Sequence, residues 1–539
     1  MAARSFAGRS LRSISLLALL SCFHPGTGAA DVTVTLGAAE DFVVETNGGP
    51  PAERLRIDEA TGNISRNGAL FVHTTGASSV FVGPGSGNTS SSGSLNAAIG
   101  ASALAANTSG FGNTAAGAYA LHFNTSGYGN TATGFNALRY NTTGRHNTAA
   151  GVNALQGNGT GEANTAAGHQ ALSSNSVGSR NTAAGASALL LNSSGNDNTA
   201  AGSTALFLNT TGNDNTATGS SALYTNTTGN HNTATGANAL RYNSTGSYNT
   251  ASGFQSLRSN TIGARNTASG TSALHSNTTG DSNTAAGFQS LVANTTGFFN
   301  TAAGAYALRD NTIGVRNTAV GFQSMLNNTT GGFNTAVGRR ALANNTTGAY
   351  NIAVGQNAGA LQTNGIENIY LGNVGVAGES RQIKIGTIGA QTAAHIAGIH
   401  GATSSGGIAV LVNASGTLGT TTSSARFKRD IADMGSASDV LMKLRPVVFH
   451  YTEETVGKEA SGELQYGLIA EEVADVAPEL VAPGADGSPY SVKYHVLPAL
   501  LLNELQKSEL RNDEQQRTIE ELLARLAALE ALQGSAGRE

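Results

Sequence analysis

Tryptophan is absent from this 539-residue chain, aromatic residues make up 6% of it and charged residues 12%. That is about half the charge of an average soluble protein, so a string of ordinary globular cores is excluded for most of its length. A net charge of −4 leaves no field that would steer a nucleic acid. Charge is also unevenly placed, sparse in the middle and dense after Arg426. The only cysteine, Cys22, excludes an internal disulfide. The apolar run Ile14–Leu20 is too short to span a bilayer. Aspartate is not regularly spaced in the central region, which argues against a calcium-binding nonapeptide roll. No cofactor or metal ligand set suggests itself.

What the chain has instead is glycine, 70 residues of it, and a fixed period. Asn recurs every 17 residues from Asn96 through Asn113 and Asn130 to Asn351 and Asn368. Gly follows each of these four residues on, from Gly100 to Gly372. A Leu or Met sits eight on, as at Leu104, Met325 and Leu342, and an Asn eleven on, from Asn107 to Asn345. Strict self-similarity at this period predicts a solenoid over 96–372. A single unit such as NTAAGAYALHFNTSGYG holds one short strand-like segment, one large apolar anchor and two glycine turns. Alone it cannot bury enough apolar surface to offset its chain entropy. Stacked coils put Leu in one row, Ala methyls in another and Asn side chains in ladders, and at about 4.8 Å per coil the rod runs roughly 80 Å.

The order of parts, TAAG then AL then NTTG, resembles the head of the trimeric autotransporter adhesins, a left-handed parallel β-roll of shorter repeats. The resemblance implies a mostly β fold, with extra residues after the apolar anchor that are expected to add a helical turn. It implies nothing about binding specificity. The many Asn-x-Thr/Ser triplets fall at fixed repeat positions, so turn and ladder roles explain them without any sugar.

Arg4, Arg9 and Arg12 precede the apolar run, and Gly28-Ala29-Ala30 offers a cleavage site, so 1–30 reads as an export signal. Leu19-Leu20-Ser21-Cys22 gives an alternative lipoprotein box with a lipid anchor at Cys22. Residues 31–95 alternate in short β-type runs and read as a cap. Residues 373–420 read as a β-rich neck, with His395 and His400 as lone histidines lacking a second ligand.

At the seam that follows stands TTSSARFKRDI, Thr421–Ile431. A serine hydroxyl needs a base before it attacks a carbonyl, and a lysine is that base only when neutral, which burial or neighbouring cations favour. The stretch holds Ser423 and, next to it, Ser424 as a competing nucleophile, and five residues after Ser423 stands Lys428 with Arg426 and Arg429 close by. Beyond lie YGLIAEEVADVAPELV (Tyr466–Val481) and YSVKYHVLPALLLNELQ (Tyr490–Gln506). The three stretches in this order resemble the self-cleaving endosialidase-type intramolecular chaperones, which trimerise tail spikes and related fibres and then cut themselves off.

For 421–539 the resemblance implies a small α+β domain with a Ser423/Lys428 dyad, homotrimeric assembly and a single turnover. Attack on the carbonyl of Thr422 is the direct choice, and cleavage just after Ser423 is the alternative. His450, Glu471 and Glu472 are candidates to assist, although Glu471 and Glu472 also suit a helix start. Leu505, Asn512, Ile519, Leu522, Leu526 and Leu529 follow heptad spacing and predict a coiled coil over about 497–532.

The sequence therefore reads as an exported homotrimeric fibre with a self-releasing chaperone, touching an unidentified surface receptor or glycan, without nucleic acid and without a membrane span in the mature chain. A purely structural fibre and a phage-derived tail fibre are the alternatives. An ice-binding face would need an unbroken Thr-x-Thr plane.

Overall fold

Every 17-residue repeat contributes one three-residue strand whose middle residue points inward. In the computed structural model, which describes residues 42–45 and 53–536 apart from 59, 68, 76–77, 400–403, 414, 457–460 and 485, these strands form a parallel in-register ladder. Thr165, Ala166 and Ala167 stand beside Thr182, Ala183 and Ala184, and every neighbouring pair repeats the pattern. The ladder starts with Val80–Val82 beside Ala97–Ile99 and ends with Ile369–Leu371 beside Ile383–Ile385. Ahead of it the segments Phe42–Glu45, Glu53–Ile57, Ile64–Arg66 and Ala69–His73 pair antiparallel and join the same sheet. The export signal expected over 1–30, Cys22 within it, and His400 lie outside the described residues.

The core is thin because small side chains fill it. Ala115, Ala120 and Leu121 of one coil are buried, as are their equivalents in each coil after it. Two asparagine ladders complete the interior. In the first, Asn113 Oδ1 accepts from the backbone N–H of Asn130 at 3.0 Å and from its Nδ2 at 3.1 Å. In the second, Asn141 Nδ2 donates to Asn124 Oδ1 at 2.8 Å. The two ladders meet at a glycine carbonyl: Gly144 O accepts from Asn130 Nδ2 at 2.8 Å and from Asn141 Nδ2 at 3.0 Å. These amides are fully buried, and a buried amide is tolerated only when bonded in this way. In the triplets from Asn107 to Asn345 whose Asn belongs to the second ladder, that side chain is buried and already engaged.

The residues after the anchor do not add a helical turn. Ala120 N–H donates to Gly117 O and Asn124 N–H to Leu121 O, closing successive tight turns. Tyr119 and Leu121 have φ of 61° and 51°, a left-handed conformation that cannot propagate a right-handed helix. Intercoil bonds such as Leu121 N–H to Ala137 O at 3.0 Å hold these corners. Gly117 must be glycine, since a Cβ there would lie 2.4 Å from Gly134 O.

Both ends of the inward alanine row are closed by an aromatic residue. Phe81 pairs in register with Ala98, and Tyr370 with Ala353, and both rings are buried. His73 stacks on Phe81 with ring centroids 5.1 Å apart, while Tyr370 OH accepts from Gln362 Nε2 at 3.1 Å. Burial raises the Tyr370 pKa well above the usual phenol range. On the outside, the first strand position is Thr from Thr114 to Thr335. The third position mixes Ala, Thr, Ser and Val, so the Thr-x-Thr plane that ice binding would need is interrupted.

The chain divides into two compact units, ending and beginning at Thr387 and Ile388. In the second, Val447–Phe449 pairs antiparallel with Gln465–Gly467, and Val481–Pro483 with Pro489–Val492. Helix Ala470–Val476 packs its Val473 against Ala477, Leu480, Val481 and Val492, with Leu497 and Leu500 from the start of a long helix beside them. That helix runs Leu497–Ala536. Earlier in the unit, between 388 and 420, the described strands are the short pair Leu411–Val412 and Leu418–Gly419. Among the described residues no helix is long and apolar enough to cross a membrane.

Candidate active site

A separation of five residues does not place Ser423 and Lys428 on one face of a helix, so a turn has to join them. Ala425–Phe427 forms a single 3-10 turn, with Ser424 (φ −67°, ψ 138°) and Lys428 (φ −119°, ψ 150°) extended on either side. Phe427 N–H donates to Ser424 O and Lys428 N–H to Ala425 O, both at 3.0 Å. The reversal brings Lys428 Nζ to 3.3 Å from Ser423 Oγ. Ser424 is the residue that starts the turn, and its side chain makes no capping bond.

The surroundings of the pair are open. Ser423, Ser424 and Lys428 are all exposed in the single chain. Arg426 lays its guanidinium over the Phe427 ring, 4.6 Å from the centroid. Arg429 faces Asp430 across 3.7 Å. The turn is thus a cationic surface loop in which the Lys428 amine donates to the Ser423 hydroxyl.

Glu472 is engaged by Arg445, whose Nε donates to Oε2 at 3.0 Å and whose Nη2 donates to Oε1. This hydrogen bonding holds the Glu472 carboxyl below its ordinary range. Glu471 stands with Glu472 in the first turn of helix Ala470–Val476, where acidic side chains face the positive end of the dipole. His450 and His395 are exposed. Among the described residues, no group of His, Cys, Asp and Glu could hold a metal ion.

One polar cluster was not readable from the sequence. Ser438 is fully buried and donates to Glu504 Oε1 at 2.6 Å, while Lys507 Nζ lies 3.0 Å from the same hydroxyl and 2.7 Å from Glu504 Oε1. Asn503 Nδ2 donates to Gly435 O at 2.9 Å. The cluster clasps the 3-10 segment Gly435–Lys443 to the long helix, joining residues more than 60 positions apart. No local pattern announces such a pairing.

Beyond its first turns the long helix is bare. Leu505, Ile519, Leu522, Leu526 and Leu529, on the heptad positions, are 49–59% exposed in the single chain. Contiguous exposed apolar surface of this kind marks an interaction site.

No curated protein matches the chain. Residues 423–482, a segment that opens on Ser423 and takes in the turn, both strands of the first pair and helix Ala470–Val476, match the family model described as the chaperone of endosialidase. The C-terminal unit is therefore similar to the self-cleaving chaperone domains, and with the parallel solenoid before it the chain fits a tail-fibre- or adhesin-like protein.

Proposed function

We propose that this protein is an exported surface fibre that assembles as a homotrimer through its C-terminal unit and then severs that unit once, with Ser423 as nucleophile and Lys428 as base. The 3.3 Å approach of Lys428 Nζ to Ser423 Oγ carries the reading. The amine takes the hydroxyl proton as Oγ attacks the carbonyl carbon of Thr422. The Thr422–Ser423 C–N bond breaks, the amine returns a proton to the leaving nitrogen, and the resulting ester is hydrolysed by water. Lys428 must be neutral to begin. Three copies packing around the turn would strip water from the amine and favour that form, which makes cleavage wait for assembly. The apolar row on helix Leu497–Ala536 supports assembly by coiled-coil packing, with Asn512 setting register.

The openness of the pair in the single chain favours one second reading, a passive fibre whose chaperone stays attached. Intact-mass measurement of the purified protein separates the two. A chain ending at Thr422 supports self-cleavage, one ending at Ser423 moves the cut by a residue, and a chain running to Glu539 supports the passive fibre. The same spectrum reports removal of the export signal and any lipid on Cys22.

A further inference from the structure

Some arginines of the solenoid face carboxylates and others lie on aromatic rings, and Arg145 does both, against Glu162 and over Tyr128. Arg145, Arg180, Arg309 and Arg381 face carboxylates. Arg139, Arg241 and Arg258 lie instead on tyrosine rings, and among the described residues none has a carboxylate within ion-pair distance. The repeat itself provides the comparison. The sequence Leu-Arg-Asp-Asn at 308–311 and Leu-Arg-Tyr-Asn at 240–243 occupy the same place in their coils. In the first, Arg309 donates from Nε to Asp310 Oδ1 at 2.7 Å and from Nη2 to Oδ2 at 2.6 Å, a two-point fork. In the second a tyrosine stands where the carboxylate was, and Arg241 Nε is left buried with no hydrogen-bond partner.

Arg258, one coil further, repeats the situation, with its Nε likewise unpartnered. Both guanidiniums lie against one ring, that of Tyr242, at 5.3 and 5.0 Å from its centroid. Their other contacts are neutral: Arg241 Nη1 donates to Asn238 Oδ1 at 3.0 Å, and Arg258 Nη2 to Tyr242 OH at 3.4 Å. Arg241 and Arg258 sit at the corners of adjacent coils, where like charges repel, and among the described residues no carboxylate pairs with either. The ridge continues as flat surface, with Phe207 and Tyr224 stacked at 5.0 Å on one side and His275 half-buried on the other.

We propose that Arg241, Tyr242 and Arg258 form a binding ridge for an acidic polysaccharide, taking the carboxylates of its sugar units. A side-chain rotation that turns each guanidinium outward gives a sugar carboxylate the fork that Asp310 gives Arg309. The aromatic faces beside it suit the C–H face of a pyranose ring. One coil of advance along the solenoid is comparable to one sugar of advance along a linear polymer, so successive carboxylates meet successive arginines. The inference deepens the reading of the chain as a surface fibre and rests on it.

The test uses the full chain and a fluorescent oligogalacturonate, with binding read by anisotropy. The parent binds it and does not bind neutral cellooligosaccharide. The double variant Arg241→Gln/Arg258→Gln loses roughly tenfold or more in affinity, as expected for removing a charge-assisted contact, while Arg309→Gln binds like the parent. Arg241→Lys/Arg258→Lys keeps the charge but not the fork and binds weakly, which guards against a double Gln variant that fails to fold. A parent that ignores oligogalacturonate, a double Gln variant that binds like the parent, or single-stranded DNA bound as tightly through the same arginines would each overturn the proposal. None of these outcomes bears on the mass of the self-cleavage products, by which the fibre and chaperone reading stands or falls.

Discussion

Asn175 Nδ2 lies 2.7 Å from Asn158 Oδ1, one coil away, and 2.8 Å from Gly178 O within its own coil. One buried amide thus satisfies an acceptor in the coil before and another in its own. Asn175→Ala takes from Asn158 Oδ1 its closest donor, leaves Gly178 O with Asn164 Nδ2 alone, removes the acceptor of Asn192 Nδ2 and opens a void. A loss of about 1–3 kcal/mol is expected, the cost of leaving buried polar groups unpaired. Thermal unfolding of the isolated variant, beside an exposed control such as Thr211→Ala, measures it.

Leu206 is fully buried in the apolar row. Leu206→Asp puts an unpaired carboxylate there at a cost of several kcal/mol. Because each coil contacts its neighbours alone, hydrogen exchange should rise in the coils around 206 and stay slow near 115 and 340. Uniform loss of protection along the array would contradict the solenoid energetics.

Gly185 has φ of 142°, and a Cβ built on it falls 2.5 Å from Gly202 O. Backbone cannot move aside in a stack without moving the next coil. Gly185→Ala should therefore destabilise far more than Gly62→Ala, where nothing lies within 4 Å. Comparing the two melting temperatures decides the matter.

Ser423→Ala and Lys428→Met should each leave an uncut assembly on a denaturing gel, whereas Ser424→Ala should still release the piece beginning at Ser423. Processing of Ser423→Ala at the parental rate removes Ser423 as the nucleophile and leaves the chaperone role alone.

Truncation before Leu497 removes the exposed leucine row and also Leu497 and Leu500, which support the small core. Sedimentation should then find aggregate or monomer. A soluble trimer from the truncated chain would place the assembly surface elsewhere.

How far the sequence could be read followed from repetition. A residue type recurring at every seventeenth position reports its environment many times over, so the Ala, Leu and Asn rows were legible without coordinates. Leu121 in a left-handed conformation was not, because leucine rarely adopts it and the reason lies in hydrogen bonds to the next coil. Phe81 and Tyr370 occur once each at their register and so left no pattern. In the second unit, the strand and helix in YGLIAEEVADVAPELV were plain from local alternation and acidic start. The clasp of Ser438 onto Glu504 and Lys507 was hidden by its distance along the chain. For the candidate site, the resemblance to the endosialidase-type chaperones singled out Ser423 and Lys428 and their spacing the need for a turn, but the openness of the single-chain pair is a property of three-dimensional packing that no spacing conveys.

Phe81 and Tyr370 act as end plates, and between them the same asparagine ladders and the same strand register recur at junction after junction. A coil inserted or deleted whole meets the ladders it leaves behind. Length is thus decoupled from foldability. Recombination within the repeated stretch can lengthen or shorten the fibre in steps of one strand spacing while both terminal units stay intact, so that reach becomes a trait selection can adjust independently of everything the ends do.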